Sequence, residues 1–98
     1  MKAKLLVRQR VEVHARAFAE LVIWQVPAPL AGSAHAFKYR LAYVVGGVCV
    51  LRYDNEAGKG DHRHGPENEL AYRFKNPSRL MADFFEDIQR YNHEHPHD

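Results

Sequence analysis

Apolar and polar residues alternate along much of the first half of the chain, with the period of two that is typical of β-strands. Between Lys4 and His14, leucine and valine occupy one side and arginine and glutamate the other. Phe37–Val45 repeats this pattern, with Lys38 and Arg40 on its polar side. Phe18–Val26 is apolar on both sides, so we expect a central strand that is covered on two faces, with its tryptophan in the core.

Glycine and proline residues mark where these strands end. Gly46-Gly47 is typical of a tight turn, because glycine adopts positive φ without strain, and Val48–Asp54 then predicts a fourth strand. Pro27 and Pro29 end the second strand, because proline cannot donate to a β-ladder. Leu70–Phe74 predicts a short fifth strand. The sequence therefore predicts an antiparallel meander sheet of four to five strands.

The C-terminal quarter has the three- and four-residue apolar spacing of a helix. Asn76-Pro77 is a typical helix start, with asparagine as the N-cap and proline in the first turn. The apolar stripe comprises Leu80, Met81, Phe84, Phe85, Ile88 and Tyr91. The acidic residues expected to face away from it are Asp83, Glu86 and Asp87. We therefore expect one helix that fades near Asn92 and packs on one face of the sheet, which gives an α+β fold.

Length and composition set the domain organisation. The chain has 98 residues, of which 46% are hydrophobic, enough for one modest core. We expect a single domain over residues 1–92 and a frayed, histidine-rich tail over residues 93–98. Neither a membrane-spanning run nor a secretion signal is recognisable, which predicts a cytoplasmic protein. The single cysteine, Cys49, cannot form a disulfide within the chain, which fits that compartment.

Charge is unevenly distributed along the chain. Residues 1–64 carry ten Lys and Arg against five Asp and Glu, whereas residues 65–98 carry four against seven. The net charge is only +2 with neutral histidines, which by itself does not argue for a nucleic-acid partner. The positive surplus of the first two-thirds nevertheless predicts that this part of the chain meets an anion.

The segment Tyr53–Pro66 concentrates acids, bases and glycines more than any other, and we expect a polar loop there. Within it, Gly58-Lys59-Gly60 can turn backbone N–H groups towards an anion while the lysine adds a positive charge. If the residues that follow are extended, alternate side chains project to opposite sides, His62 with His64 and Asp61 with Arg63.

Two imidazoles beside a cation suit metal-free cleavage of RNA. One imidazole takes the proton of the ribose 2′-hydroxyl, the other protonates the leaving 5′-oxygen, and a cation holds the charge that grows on the phosphate. The candidate catalytic residues are His62, His64, Lys59 and Asp61. The candidate substrate-binding residues are Arg63, Arg52, Lys38, Arg40 and Tyr53. We expect either Tyr39 or Tyr53 to be exposed and to stack a base. No cofactor is expected.

Two other functions fit the same residues. The two histidines, with Asp54, Glu56 or Asp61, form a possible ligand set for Mn²⁺ or Zn²⁺ in a metal-dependent hydrolase. The sequence fixes no third ligand, so we assign no metal site. The other alternative is a non-enzymatic module whose basic strands bind nucleic acid or a partner protein.

Several stretches of the chain resemble those of one family. They are Lys4-Leu5-Leu6, Val22-Ile23-Trp24, Phe37-Lys38-Tyr39, the run from Tyr53 to His64, and Tyr72 with Phe74. Together they are similar to the TumE family of small prokaryotic toxins over nearly the whole chain. The run Gly65–Tyr72 departs from the family pattern, so the resemblance assigns no role to Glu67 or Glu69.

The resemblance implies a cytoplasmic toxin that arrests growth and is neutralised by a helix-turn-helix antitoxin of the TumA type. It assigns no catalytic residues. An RNA substrate is expected by analogy with other small toxins built from a sheet and a helix, an analogy of fold. Pairing of two copies through an exposed sheet edge, to give a homodimer, is a further expectation.

Overall fold

A computed structural model describes residues 2–96 of the chain and shows one antiparallel sheet with one helix. The strands are β1 (Lys4–His14), β2 (Ala17–Gln25), β3 (Phe37–Val45), β4 (Val48–Glu56), β5 (Gly60–His64) and β6 (Glu69–Ala71), and the helix is α1 (Pro77–Glu94). Each strand pairs with the next in chain order. The predicted α+β meander is confirmed, with six strands rather than four to five.

The additional strand comes from the segment that the sequence predicts as a loop. β4 continues to Glu56, the chain turns through Ala57–Lys59, and β5 begins at Gly60. Gly58 and Gly60 have φ angles of 87° and 79°, which let the chain reverse within three residues. The prediction of a long loop was wrong because strands near a sheet edge carry polar side chains on both faces, so no apolar alternation reveals them.

The helix packs on one face of the sheet, as predicted. The Asn76 side chain accepts a hydrogen bond of 2.8 Å from the Arg79 backbone N–H, which caps the first turn. The helix buries its own Leu80, Phe84 and Ile88 against the sheet. We call the sheet surface beneath them the covered face, and its buried side chains are Ala17, Ala19, Leu21, Ile23, Tyr39, Leu41, Tyr43, Leu51 and Tyr53.

Two acidic residues of the helix, which the sequence predicts to face away from the sheet, instead bind tyrosines. Asp87 accepts a short hydrogen bond from the hydroxyl of Tyr53, and Asp83 accepts one of 2.7 Å from that of Tyr72. Burial, and then the bonded carboxylate, raise the pKa of both tyrosines well above the ordinary value. The side chain of Asp87 is only 12% exposed, so this predicted orientation was wrong.

The opposite surface of the sheet is uncovered by any element of residues 2–96, and we call it the open face. It carries alternate residues of each strand, starting with Val22 and Trp24 of β2, which are half-buried. The expectation that β2 is covered on both sides, with Trp24 in the core, was therefore wrong. Val22 and Trp24 are instead flanked by the long side chains of neighbouring strands, because they pair with Arg40 and Lys38 of β3.

The helix continues to Glu94, two residues beyond the predicted end near Asn92. The ring of His95 stacks on Tyr91 with centroids 4.1 Å apart, and its backbone N–H caps the Tyr91 carbonyl. The predicted frayed tail ends with His97 and Asp98, which lie outside the described residues.

Candidate functional site

β5 places the two candidate histidines together on the open face. In the β4–β5 register, Asp54 pairs with His62 and Arg52 with His64, and paired residues of neighbouring strands point to the same face. Both imidazoles are partly exposed, His62 to 23% and His64 to 28%. We call these two residues the histidine pair.

Charged groups on β4 surround the ring of His64. The Arg52 guanidinium Nη2 lies 3.1 Å from His64 Nε2, and Arg52 Nε lies 3.1 Å from Asp54 Oδ2. The other Asp54 oxygen, Oδ1, lies 3.6 Å from His64 Nε2. Arginine can only donate, so in the neutral ring Nε2 accepts from Arg52 and the proton is carried on Nδ1.

Glu69 of β6 links the two rings of the histidine pair. Its carboxylate oxygens lie 3.7 Å from His62 Nε2 and 3.6 Å from His64 Nδ1. The Glu69 side chain is 46% exposed, so its carboxylate lies between the two rings on their solvent side. The sequence assigns Glu69 no role because β6 is three residues long and shows no period that would place its side chain.

Lys38 and Arg40 of β3 are also on the open face, as the sequence predicts. Arg40 pairs with Asp54, which pairs with His62, so these three residues form one row across three strands. Both β3 cations are exposed, and within residues 2–96 neither has an ion-pair partner. They are cations on the site's own surface that the fold leaves available.

Lys59 lies at the tip of the β4–β5 turn, with its side chain 67% exposed and its Nζ 4.0 Å from Glu56 Oε2. The expected anion-binding turn is not formed by its backbone. The Gly58 N–H donates to the Ala31 carbonyl at 2.6 Å, and the Lys59 N–H donates to the Glu56 carbonyl at 3.1 Å. The turn therefore uses these two donors for its own structure, because the β2–β3 loop packs against it.

That packing includes a close approach of two glycine backbones. A β-carbon added at Gly32 would lie 2.8 Å from the Gly60 nitrogen, and one at Gly60 would lie 2.7 Å from the Gly32 oxygen. Both residues also have positive φ, at 91° and 79°. Only glycine fits at either position without displacing the loop or the hairpin.

Asp61 is on the covered face, away from the histidine pair. Its carboxylate accepts hydrogen bonds of 2.7 Å from the hydroxyls of Ser33 and Tyr39 and lies 2.6 Å from His35 Nε2. Burial, followed by the bond to Asp61, raises the pKa of Tyr39 far above its ordinary value. Asp61 is adjacent to His62 in sequence, but strand alternation directs it to a different set of partners.

His35 is a residue whose role the sequence does not reveal. It reaches Asp61 from the β2–β3 loop, 26 residues earlier in the chain, and its ring stacks on Phe74 with centroids 3.9 Å apart. Ser33 makes the same connection from the same loop. These contacts fasten the loop to the hairpin, and no local pattern predicts a contact over that separation.

Arg63 and Tyr53 also belong to the covered face. Arg63 Nη1 lies 3.4 Å from Asp87 Oδ2 and 3.4 Å from the Tyr53 hydroxyl. Tyr53 is 1% exposed and Tyr39 is 2% exposed, so the expectation that one of these rings is exposed and stacks a base was wrong. The reason is register: Tyr53 pairs with Leu41 on the buried side of β4, and Phe84 packs against its ring.

The comparisons with known proteins agree with the sequence resemblance. The family described as Toxin TumE matches residues 2–92. The chain belongs to the TumE toxin family. No curated protein and no solved structure matches the chain. The TumE assignment gives the chain a toxin role, and a toxin of this kind implies an antitoxin as its partner.

Across residues 2–96, no group of three His, Cys, Asp or Glu side chains is arranged to hold a metal ion. No helix in the described part of the chain has the length and apolar character needed to cross a membrane.

Proposed function

We propose that this toxin is a metal-independent endoribonuclease whose histidine pair cleaves RNA on the open face of the sheet. The observation that carries the proposal is the placement of both imidazoles on one face, beside Arg52 and in register with Arg40. Alternate residues of a strand are about 6.6 Å apart, wide enough for a phosphodiester to lie between the two rings. The reaction then needs one ring as base and the other as acid.

The hydrogen bonds of His62 favour it as the base. Its Nδ1 lies 3.2 Å from the Gly60 carbonyl, which can only accept, so in the neutral ring Nδ1 carries the proton. Nε2 is then left with a lone pair on the side where Glu69 lies. His62 Nε2 takes the proton of the 2′-hydroxyl, and the 2′-oxygen forms a bond to the phosphorus.

His64 is then the acid. In its doubly protonated form, the ring gives one proton to the 5′-oxygen as the bond between phosphorus and that oxygen breaks, and the ring becomes neutral. The products are a 2′,3′-cyclic phosphate and a free 5′-hydroxyl. Arg52, which lies 3.1 Å from the His64 ring, stabilises the charge that develops on the non-bridging oxygens. Glu69 moves aside when the phosphate enters, because its carboxylate occupies the region between the two rings.

We assign substrate binding to three exposed cations. Lys38 and Arg40 are exposed on the open face, and Lys59 extends from the turn that precedes His62. Each neutralises a phosphate of the RNA backbone. Asp61, Arg63 and Tyr53 lie on the covered face and have structural partners there, so we assign them to the scaffold.

Replacement of the histidine pair tests the proposal. His62→Ala is expected to lower the rate of RNA cleavage by about 10²–10⁴-fold, the usual contribution of a general base, and to abolish growth arrest. The cleavage assay is run in excess EDTA, with circular dichroism to show that the fold is retained. His93→Ala, near the end of α1, is the matched control and should cleave normally.

Three results would decide against parts of the proposal. Full cleavage by folded His62→Ala would exclude that residue as the base. Loss of wild-type activity in EDTA would favour the metal-dependent hydrolase. Salt-sensitive RNA binding with no products after long incubation would favour the non-enzymatic module, for which the uncovered basic face is the supporting observation.

The partner is proposed to be a helix-turn-helix antitoxin of the TumA type, and β1 to be an edge through which two copies pair. β1 is 11 residues long and forms the longer of the two edges of the sheet, whose other edge is β6, so it presents unpaired backbone groups. Analytical ultracentrifugation of the purified toxin tests the homodimer, which a monomer mass at all concentrations would exclude. Copurification with the product of a neighbouring helix-turn-helix gene tests the antitoxin.

A further inference from the structure

We infer that the open face binds RNA as a single strand that crosses the sheet from β1 to the histidine pair, with Trp24 as a base-stacking subsite. The inference rests on the proposed function and names the form of its substrate. We call the surface the RNA track and define it by Arg8, Trp24, Lys38, Arg40 and His62.

The register of the sheet aligns the track across five strands. Arg8 of β1 pairs with Val22, which pairs with Arg40, which pairs with Asp54, which pairs with His62, all on the open face. In the row beside it, Trp24 pairs with Lys38. The side chains that stack and attract a nucleic acid therefore lie in two adjacent rows, one of which ends at the proposed base.

The charges along this line are available. Arg8, Lys38 and Arg40 are exposed and have no ion-pair partner within residues 2–96. The one acidic residue of the Arg8–His62 row, Asp54, is neutralised by Arg52 at 3.1 Å. Two cations of this row, Arg8 and Arg40, therefore face solvent beside a carboxylate that already has a partner, and Lys38 adds a third cation from the neighbouring row.

On β1 and β2, the row on the other side of Arg8 is less suited to an anion. It contains the acidic residue Glu20, which lies opposite Arg10 in the β1–β2 register. The guanidinium of Arg10 already lies over the ring of Phe18, 3.8 Å from its centroid. The strand of RNA is therefore expected to pass over Trp24 rather than over Phe18. This contrast gives the track a defined side of the face.

Trp24 favours a single strand over a duplex. Its indole is half-buried, and its two strand partners are Lys38, which is exposed, and Leu5, which is 40% exposed. A stacking ring can take an unpaired base but finds none available in a duplex, where the bases are stacked on each other. Four strand spacings of about 4.8 Å give a length near 19 Å from β1 to β5, enough for a site of about four nucleotides.

Trp24 is the only tryptophan of the chain, so its intrinsic fluorescence reports on the track directly. The folded double variant His62→Ala with His64→Ala is titrated with a six-nucleotide single-stranded RNA carrying a 3′ dye. Dye anisotropy measures binding and tryptophan emission measures contact with Trp24. We expect the emission to be quenched with the same midpoint as the anisotropy change, and a duplex of the same sequence to bind more weakly.

Charge reversal tests the far end of the track. Arg8→Glu in the same background should weaken binding at least tenfold and reduce the slope of log K against log salt by about one. Lys75→Glu makes the same charge change outside the sheet, in the connection between β6 and α1, and should leave both unchanged. Equal effects of these two variants would overturn the track.

A substrate series separates this inference from the proposed reaction. In the active protein, Trp24→Ala should raise the KM for a hexanucleotide while cleavage of a dinucleotide, which reaches only the histidine pair, stays unchanged. Unchanged cleavage of both substrates, or RNA binding without any tryptophan quenching, would overturn the track and leave the histidine chemistry standing. Quenching without cleavage by the unmodified toxin would overturn the proposed function and leave the track standing. Absence of RNA binding would overturn both.

Discussion

The two faces of the sheet use charged residues in opposite ways. On the covered face, Asp61 and Asp87 are each bound by a tyrosine and by a histidine or arginine, so their charges are committed to packing. On the open face, Lys38 and Arg40 have no ion-pair partner in the described chain and are exposed. The difference shows that the carboxylates Asp61 and Asp87 serve packing, whereas Lys38 and Arg40 stay available on the surface that carries the histidine pair.

β5 contains this difference within four residues. Asp61 and Arg63 point to the covered face and hold the β2–β3 loop and the helix, whereas His62 and His64 point to the open face. Replacing alternate residues of one short strand should therefore produce two distinct outcomes, loss of stability or loss of activity.

The largest expected effect on stability is that of Asp61→Ala. The hydroxyls of Ser33 and Tyr39 and the imidazole of His35 would all lose their acceptor, at a cost of about 3 kcal/mol in the free energy of unfolding. Urea denaturation measures the change. Glu67→Ala, an exposed carboxylate of the β5–β6 connection, is the control and should change stability by less than about 0.5 kcal/mol. A loss of similar size in His62→Ala would contradict the division of β5 into two faces.

Alkaline pH should weaken the covered face next. The pKa values of Tyr39 and Tyr53 are raised in the folded state, chiefly by burial, so above the ordinary tyrosine pKa of about 10 the unfolded chain loses protons first. Stability is therefore fully present below pH 10 and falls as the pH rises further, by about 1 kcal/mol per tyrosine at pH 11. Urea midpoints between pH 8 and 11 measure this, and a flat profile would contradict the buried hydroxyl contacts.

Removing one hydroxyl from the covered face should have a smaller effect. Tyr53→Phe loses the bond to Asp87 but leaves that carboxylate with Arg63, so we expect a cost of about 1 kcal/mol. The same variant should show a shallower loss of stability above pH 10. Tyr91→Phe is the control, and an equal cost there would show that the Asp87 bond adds nothing.

The smallest effect on stability is expected on the open face. Arg40→Ala removes an exposed side chain without an ion-pair partner and should change the free energy of unfolding by less than about 0.5 kcal/mol. RNA binding should nevertheless weaken several-fold, with a smaller salt dependence, because one phosphate contact is lost. A stability loss above 1 kcal/mol would mean that this face is structural too.

The local sequence pattern was sufficient to predict the strands, the turn and the helix start that depend on neighbouring residues. β1 and β3 have the predicted bounds, the Gly46-Gly47 turn joins the predicted strands, and Asn76 caps the helix. Alternation along an extended segment also placed His62 and His64 on one side. Each of these features depends only on residues that are close in the sequence.

The remaining features depend on contacts between distant residues. Asp61 meets His35 across 26 positions and Glu69 meets the histidine pair from a strand of three residues, and neither contact leaves a periodic signal. Tyr53 is next to polar residues in the sequence, so the local pattern does not predict its burial. Its burial depends on where the helix packs, because Phe84 of the helix covers its ring. The apolar pattern of β2 did not reveal that one of its faces is left uncovered.

The Gly46-Gly47 turn and the β2–β3 loop, which contains Gly32, differ in how much change they tolerate, and this matters for work with a toxin. An added β-carbon at Gly46 or Gly47 meets nothing within 4 Å, so this hairpin tip has room for an inserted epitope that keeps both glycines, whose φ angles are positive. A methyl group at Gly32 would push the loop away from the hairpin that carries the histidines. Gly32→Ala is therefore expected to reduce toxicity and so to ease cloning of the gene, while the histidine pair and its charged neighbours keep their sequence.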